Sequence, residues 1–413
     1  MTALSQFLAT CTHLPKDVSV YVSGCAAEVP GLAQDLASVP GDSVTVNGIF
    51  IPGVNRCDYT AASSRIYCKT FFMTPQLFKS VTDRVDYYPW RYREIIRHFQ
   101  QSQIDIAIVT LSPPDSEGYC SYSVTSDFAP LILPRAKVRV GVLNSNMPRT
   151  HGARVRLADL THWVTHEFPL LTTPEARLDD RSRAIARYVA TLVDNGATIQ
   201  LGLGSISGAV ITELVTRRNL RVHSGVIESS LLSLENAGAL DRDFPVLSGV
   251  ALGSSQFFSH LNENPRFLFE PVSVTHDERA ITSSDNFIAI NGALQVDLLG
   301  QTNSCVLSDG FTSGPGGLPE FANGALVSRN GRSIIALHAT AVAGQQSRIV
   351  ASLSGGLASL SASDADVVVT EFGIAELRGK SVAQRVDAMI AVADPAHRAA
   401  LSQAALSARW GVG

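Results

Sequence analysis

No stretch of the 413 residues holds the roughly 18–20 consecutive apolar positions that a membrane-spanning helix needs. Only five of the 33 basic residues are lysine, and the formal charge is −4. The chain therefore lacks the positive balance of a general phosphate-backbone binder, and no nucleic acid partner is expected. Charged residues are scarce at 17% beside 45% hydrophobic, which excludes a disordered chain. The six cysteines (Cys11, Cys25, Cys57, Cys68, Cys120, Cys305) form no CxxC pair and no cluster with histidine, so no metal site is expected. Reduced thiols in a cytoplasmic protein are the simplest reading. The first 17 residues lack the basic and apolar regions of a signal peptide. GxSxG, HExxH and Walker A patterns are all missing, which removes three common routes to hydrolysis and phosphoryl transfer.

What is present is an alternation of β-branched runs and helical stretches. Residues 17–23 (DVSVYVS), 44–49 (VTVNGI), 104–111 (IDIAIVTL) and 138–143 (VRVGVL) read as strands, and 90–101 (WRYREIIRHFQQ) as an amphipathic helix. Near-continuous apolar strands separated by helices indicate a parallel sheet covered on both faces. The pattern restarts after a polar segment at 168–180, with a helix at 181–195, a strand at 198–202 and a helix at 208–217. Two echoes occur in the same order. A strand, glycine turn and helix recur, and DIAIVT (105–110) returns as DVVVT (366–370). Two related α/β domains are expected, 1–175 and 176–413.

Four stretches carry candidate chemistry. Ser112-Pro113-Pro114-Asp115 follows a buried strand, where ligands bind in open parallel sheets, though a rigid proline turn reads the same way. Gly202-Leu203-Gly204-Ser205 lies between strand and helix, so its amides and the helix start favour negative charge; it is not a GxGxxG. Residues 313–317 (SGPGG) hold three glycines in five positions, a good nest of backbone donors for a developing oxyanion, or else a surface loop. At 369–380, Glu371 and Arg378 fit a structural ion-pair turn better than a ligand wall.

In order along the chain, SPPDSEGYCS (112–121), NSNMPRTHG (144–152), LGLGSI (201–206), INGALQVDLLGQ (290–301), SGPGGLPEFANGA (313–325) and VVTEFGIAELRGKS (368–381) resemble the acetyl-CoA hydrolase/transferase family. These are single-chain class I CoA-transferases, and the chain is similar to enzymes of the 4-hydroxybutyrate CoA-transferase kind. The resemblance implies an α/β fold of two related open, mostly parallel-sheet domains, with the active site in the cleft between them. It implies acyl-CoA as substrate, no permanently bound cofactor, a small carboxylic acid, amine, alcohol or water as acceptor, and a homodimer. On the same footing, Gly202, Gly204, Ser205, Asn291, Gly292, Gly314, Gly316 and Gly317 are expected to line the CoA site. Gly316 is expected to take part in catalysis through its loop amides.

In the family a glutamate attacks the thioester from a pattern resembling H-[ST]-E-[MV]. The matching stretch here is His223-Ser224-Gly225-Val226, so the resemblance places Gly225 at the nucleophile position. Further departures fall at Ser207, where the family has proline, at Ser123, where it has glycine, and at Leu318-Pro319-Glu320-Phe321 in place of QxDF. Three readings follow. The acceptor attacks the thioester directly, with Glu228 as general base. Alternatively Glu228 is a displaced nucleophile, expected one helical turn, or roughly 5 Å, from the family position. The third reading is a catalytically silent relative that binds acyl-CoA or a partner. A thiol at Cys120 or Cys305 is a weaker candidate nucleophile, since free cysteine is more often a small buried hydrophobe.

Overall fold

Continuous apolar strands need cover on both faces, and the computed structural model supplies it twice. It describes residues 2–79, 83–175, 178–307, 310–353 and 357–408. The chain divides into two compact units. The first is Met1–Pro174 with Val246–Thr275 and Phe311–Gly316; the second is Glu175–Pro245 with His276–Gly310 and Gly317–Gly413. The chain thus returns twice to the first unit, which a single boundary between 175 and 176 does not describe. Residues 176–177 of the expected linker, and 409–413 at the end of the expected second domain, lie outside the described residues.

In the first unit β1 (Asp17–Val22), β2 (Ser43–Gly48), β3 (Ile66–Thr70), β4 (Val85–Tyr87), β5 (Ile106–Leu111), β6 (Val138–Leu143) and β7 (His162–Thr165) form one sheet. Their order is β7-β6-β5-β1-β2-β3-β4, and every pairing is parallel. Side chains alternate between the two faces. Val18, Val20, Val22, Ile106, Ile108 and Val140 enter one core, while Tyr21, Ala107, Val109 and Leu111 enter the other. Helix α1 (Tyr92–Gln101) lays Ile95 and Phe99 on the second face. Each such aliphatic or aromatic side chain contributes about 1.5–3 kcal/mol of burial.

The second unit holds β8 (Thr198–Leu201), β9 (Arg221–Val222), β10 (Phe287–Gly292), β11 (Arg332–Ala336), β12 (Val367–Thr370) and β13 (Gly373–Glu376). Their order is β9-β8-β10-β11-β12-β13. Pairing is parallel from β9 to β12. An antiparallel hairpin closes the edge, pairing Thr370 with Gly373. Helices α2 (Asp180–Ala190), α3 (Ser205–Leu214) and α4 (Leu318–Val327) belong to this unit.

The sequence echo has one structural meaning in both units. The Asp105 carboxylate, just before β5, accepts the Ser19 amide at 2.9 Å and pairs with Lys137 at 2.9 Å. The Asp366 carboxylate, just before β12, accepts the Ser333 amide at 2.8 Å and pairs with Arg378 at 2.9 Å. Each aspartate pins the neighbouring strand's first turn of ladder with one charge-assisted bond and one cation.

Strand order also sets where the winding reverses in each sheet. In open parallel sheets ligands bind beyond the carboxyl ends of the strands where the winding reverses. In the first unit that point lies between β1 and β5, and residues 112–115 follow β5 directly. In the second it lies between β8 and β10, whose ends carry Gly202–Gly204 and Asn291–Gly292. Among the described residues no helix is long and apolar enough to cross a membrane, and no three His, Cys, Asp or Glu side chains gather as metal ligands.

Candidate functional site

At the second unit's reversal point the chain leaves β8 through Gly202 and Gly204 and enters α3. Gly204 caps the helix at φ +114°, ψ −175°, a conformation open in practice only to glycine. Its amide donates to the Glu228 carboxylate at 3.2 Å. Ser205 is the first helical residue. The positive end of α3 thus holds an internal anion. Burial pushes the Glu228 carboxyl above the usual range, and the Gly204 amide works against that rise. A small cavity around Glu228 is lined also by Gly202, Ser207, Ser224 and Ser230. Asn291 and Gln200 exchange both amide hydrogen bonds, at 2.9 and 3.1 Å, tying β8 to β10. Asn291 therefore serves the sheet, while its neighbour Gly292 is exposed.

Val226–Glu228 is a short strand, not the helical turn expected from the sequence. Three residues of extended chain separate α-carbons by about 10 Å, so Glu228 stands further from position 225 than helical spacing implies. Position 225 itself faces a side chain that sequence reasoning missed. A Cβ built on Gly225 would lie 2.6 Å from Cε1 and 2.8 Å from Nε2 of His276. A Cβ on Gly317 would lie 2.5 Å from Cδ2 of the same ring and closer still to Nε2. The imidazole is buried and packs on Phe321, with ring centroids 4.7 Å apart; His223 stands edge-on to Phe321 and Phe287. Burial, with His223 adding to it, lowers His276 to about 3. The ring is neutral at physiological pH.

The glycine stretch at 313–316 is anchored within the first unit. The Ser313 carbonyl accepts from the Met73 amide at 3.3 Å and from the Tyr87 hydroxyl at 2.8 Å, and the Gly316 carbonyl accepts from the Tyr92 amide at 3.1 Å. A Cβ on Gly314 would collide with the Phe71 carbonyl oxygen. Gly316 sits at φ +59° against Phe72. The stretch is a fitted turn, and Gly317 opens α4 at its end. Asp115 caps its own turn, accepting from the Tyr119 and Glu117 amides at 2.8 and 3.0 Å, bonds that hold its carboxyl low. Arg149 donates to the Pro113 and Tyr119 carbonyls, so SPPD is braced as a rigid loop. Both candidate thiols are fully buried. Burial pushes Cys120 up to about 11 and raises Cys305 as well, which keeps them protonated and poorly nucleophilic.

Residues 53–166 match the acetyl-CoA hydrolase/transferase N-terminal domain, and residues 253–405 match the corresponding C-terminal domain. The chain is 34% identical over 328 residues to the 4-hydroxybutyrate coenzyme A transferase of Clostridium kluyveri, spanning 77% of this chain and 76% of that relative. It is 32% identical over 329 residues to the succinyl-CoA:cyclohexane-1-carboxylate CoA transferase of Geobacter metallireducens, spanning 78% and 75%. Its fold is similar to that of RipA from Yersinia pestis, with a TM-score of 0.90 and 26% identity over 99% of this chain and 97% of that one.

Proposed function

The chain belongs to the acetyl-CoA hydrolase/transferase family, and from that premise we propose an enzyme that transfers an acyl group or CoA, or hydrolyses the thioester, by direct attack of the acceptor. The observation that carries this reading is at position 225. The resemblance puts Gly225 at the position of the family's nucleophile, and the space beside Gly225 is taken by the His276 ring. Glycine forms no acyl anhydride and no CoA thioester, so a ping-pong route through residue 225 is closed.

With a carboxylate acceptor, attack on the thioester carbonyl breaks the C–S bond and yields a mixed anhydride and CoA thiolate. The thiolate then opens the anhydride at the acceptor's own carbonyl, releasing the first carboxylate. With water, an alcohol or an amine, the acceptor's proton passes to Glu228 and ends on the CoA sulfur. A carboxylate raised by burial is better matched to that proton transfer than an ordinary one. The Gly202 and Gly204 amides already donate to the Ile290 carbonyl and the Glu228 carboxylate, so CoA and the developing oxyanion are assigned to other backbone donors of the two glycine stretches. Homodimeric assembly belongs to the same proposal.

Initial-rate kinetics with two varied substrates test the reading. Intersecting lines and resistance to borohydride in the presence of acyl-CoA are expected. Parallel lines with borohydride inactivation would instead make Glu228 a displaced nucleophile. Failure to bind CoA or any short acyl-CoA at millimolar concentration would leave a silent relative.

A further inference from the structure

We propose that Arg181 and Arg348, beside the carboxyl ends of β11 and β12, form a binding site for a carboxylate. The site lies within the second unit and does not depend on what happens at position 225.

The fold brings the pair together. Glu371 directly follows β12, and its carboxylate accepts the Ala339 amide, just beyond β11, at 2.8 Å. The Ala339 carbonyl accepts the Arg348 amide at 2.8 Å, and Thr340 pairs with Ser347 across a short antiparallel turn. Arg181, in the first turn of α2, reaches the same place. Its guanidinium lies 3.8 Å from the Glu371 carboxylate and donates to the Thr340 hydroxyl at 3.4 Å. Strands β10, β11 and β12 are consecutive in the sheet, about 4.8 Å apart. The arginines thus stand on the same carboxyl side as Asn291 and Gly292, where open parallel sheets bind ligands.

Their donors are not filled from within the protein. Arg181 meets the carboxylates of Glu371 and Asp179 at 3.8 Å, beyond hydrogen-bond reach, so its one hydrogen bond among the described residues is the long one to Thr340. The Arg348 side chain is half-buried and makes no hydrogen bond, ion pair or ring contact among the described residues. Burial, with Arg181 adding to it, holds the Arg348 guanidinium below its ordinary value, as expected of a cation taken from water beside another cation.

Two guanidinium forks suit a planar oxyanion held through paired N–H groups. Charge selects its class. Glu371 and Asp179 already offset the two arginines, and burial and Arg181 keep His338, 3.6 Å from Asp179, in its neutral form. A carboxylate adds one negative charge to that balanced cluster, whereas a phosphate dianion adds two. An acceptor acid and the far end of a dicarboxylic acyl group both present a carboxylate.

Calorimetry on the full chain with acetate, butyrate, succinate and inorganic phosphate reads the site without turnover. The carboxylates bind and phosphate binds more weakly. Arg348→Gln and Arg181→Gln each lower carboxylate affinity by about 10–10²-fold, the loss of hydrogen bonds to a charged group. Arg348→Lys, which keeps the charge and loses the fork, recovers only part of it. In the unmodified protein phenylglyoxal labels Arg348, read by peptide mass, and succinate slows that labelling. Without ligand, Arg348→Met has a thermal midpoint equal to or above that of the unmodified chain, because it removes a cation with no partner in the protein. A lower midpoint would reveal an internal partner and overturn the assignment. So would phosphate binding as tightly as succinate, or no carboxylate binding at all. Steady-state kinetics of Arg348→Gln separate the sources. A raised KM for the acceptor acid alone assigns the site to the acceptor, and a raised KM for succinyl-CoA but not butyryl-CoA assigns it to the acyl group. An equal rise for both thioesters would give the arginines to CoA itself and overturn the carboxylate. Absence of turnover would sink the functional reading and leave the binding result to decide this one.

Discussion

Glu228 and Asp127 show at the scale of single residues how burial moves a carboxyl and what that does. Glu228 sits against the Gly204 amide with its carboxyl raised. It accepts a proton only when ionised, so turnover should rise with pH through its raised pKa and fall away on the acid side. Glu228→Gln should lower kcat by about 10²–10⁴ and erase that acid limb, while CoA binding measured by calorimetry persists. An unchanged pH profile in the variant would contradict the role. Asp127 is buried with Oδ2 lacking a hydrogen-bond partner, and burial pushes its carboxyl up to about 8. Unfolded, it titrates near 3.9. Its contribution to stability is therefore complete below about pH 4 and is lost as pH rises toward 8. The thermal midpoint of the unmodified protein should fall between pH 5 and 8.5 by more than that of Asp127→Asn; parallel curves would refute the assignment. Gly225 and Glu228 were legible as positions because a motif surrounded them. His276 was not, since a lone histidine in VTHDE carries no periodicity and its meaning lies in two distant glycines that only the fold brings to it.

Among the elements, the strands that sequence reasoning found are those buried on both faces. β5 is buried at all six positions and β6 at five of its six, so their residues are almost uniformly apolar. The edge strands carry no such run, and β3, β10 and β11, though interior, are not among the strands the sequence reading names. β4 (VDY) and β7 (HWVT) flank the sheet and mix polar with apolar residues, and β9 has only two residues. Helix α3 begins at Ser205, three residues before the expected 208, because an opening on Ser205-Ile206-Ser207 carries little apolar periodicity. The glycine stretch before α4 makes a contrast that tests its role in the fold. Gly314 has no room for a methyl group beside the Phe71 carbonyl, whereas a Cβ on Gly292 would find its nearest neighbour, the Ala336 carbonyl oxygen, at 3.9 Å. Gly314→Ala should therefore cost about 1–3 kcal/mol in denaturant unfolding, and Gly292→Ala should leave unfolding unchanged. Equal midpoints for the two variants would show that the stretch is not held as described.

For the molecule as a whole, two units repeat one plan. Each has an open, mostly parallel sheet, an aspartate that pins the strand beside it, and a reversal point flanked by the motifs that carry the family resemblance. That repetition was visible in the sequence as two weak echoes because the pinning aspartate needs its acidic residue directly before an apolar strand. The return of residues 246–275 and 311–316 to the first unit was not visible, because no local signal records which sheet a segment rejoins. The chemistry we propose is acyl-CoA turnover without a covalent glutamate. Its most direct test is mass spectrometry of the intact protein and its peptides after incubation with a panel of acyl-CoAs and acceptors, with free CoA and products quantified in the same samples. The expected result is CoA release or exchange with no covalent adduct on any residue. A glutamyl-CoA thioester or acyl anhydride on Glu228, formed as fast as product appears, would contradict it.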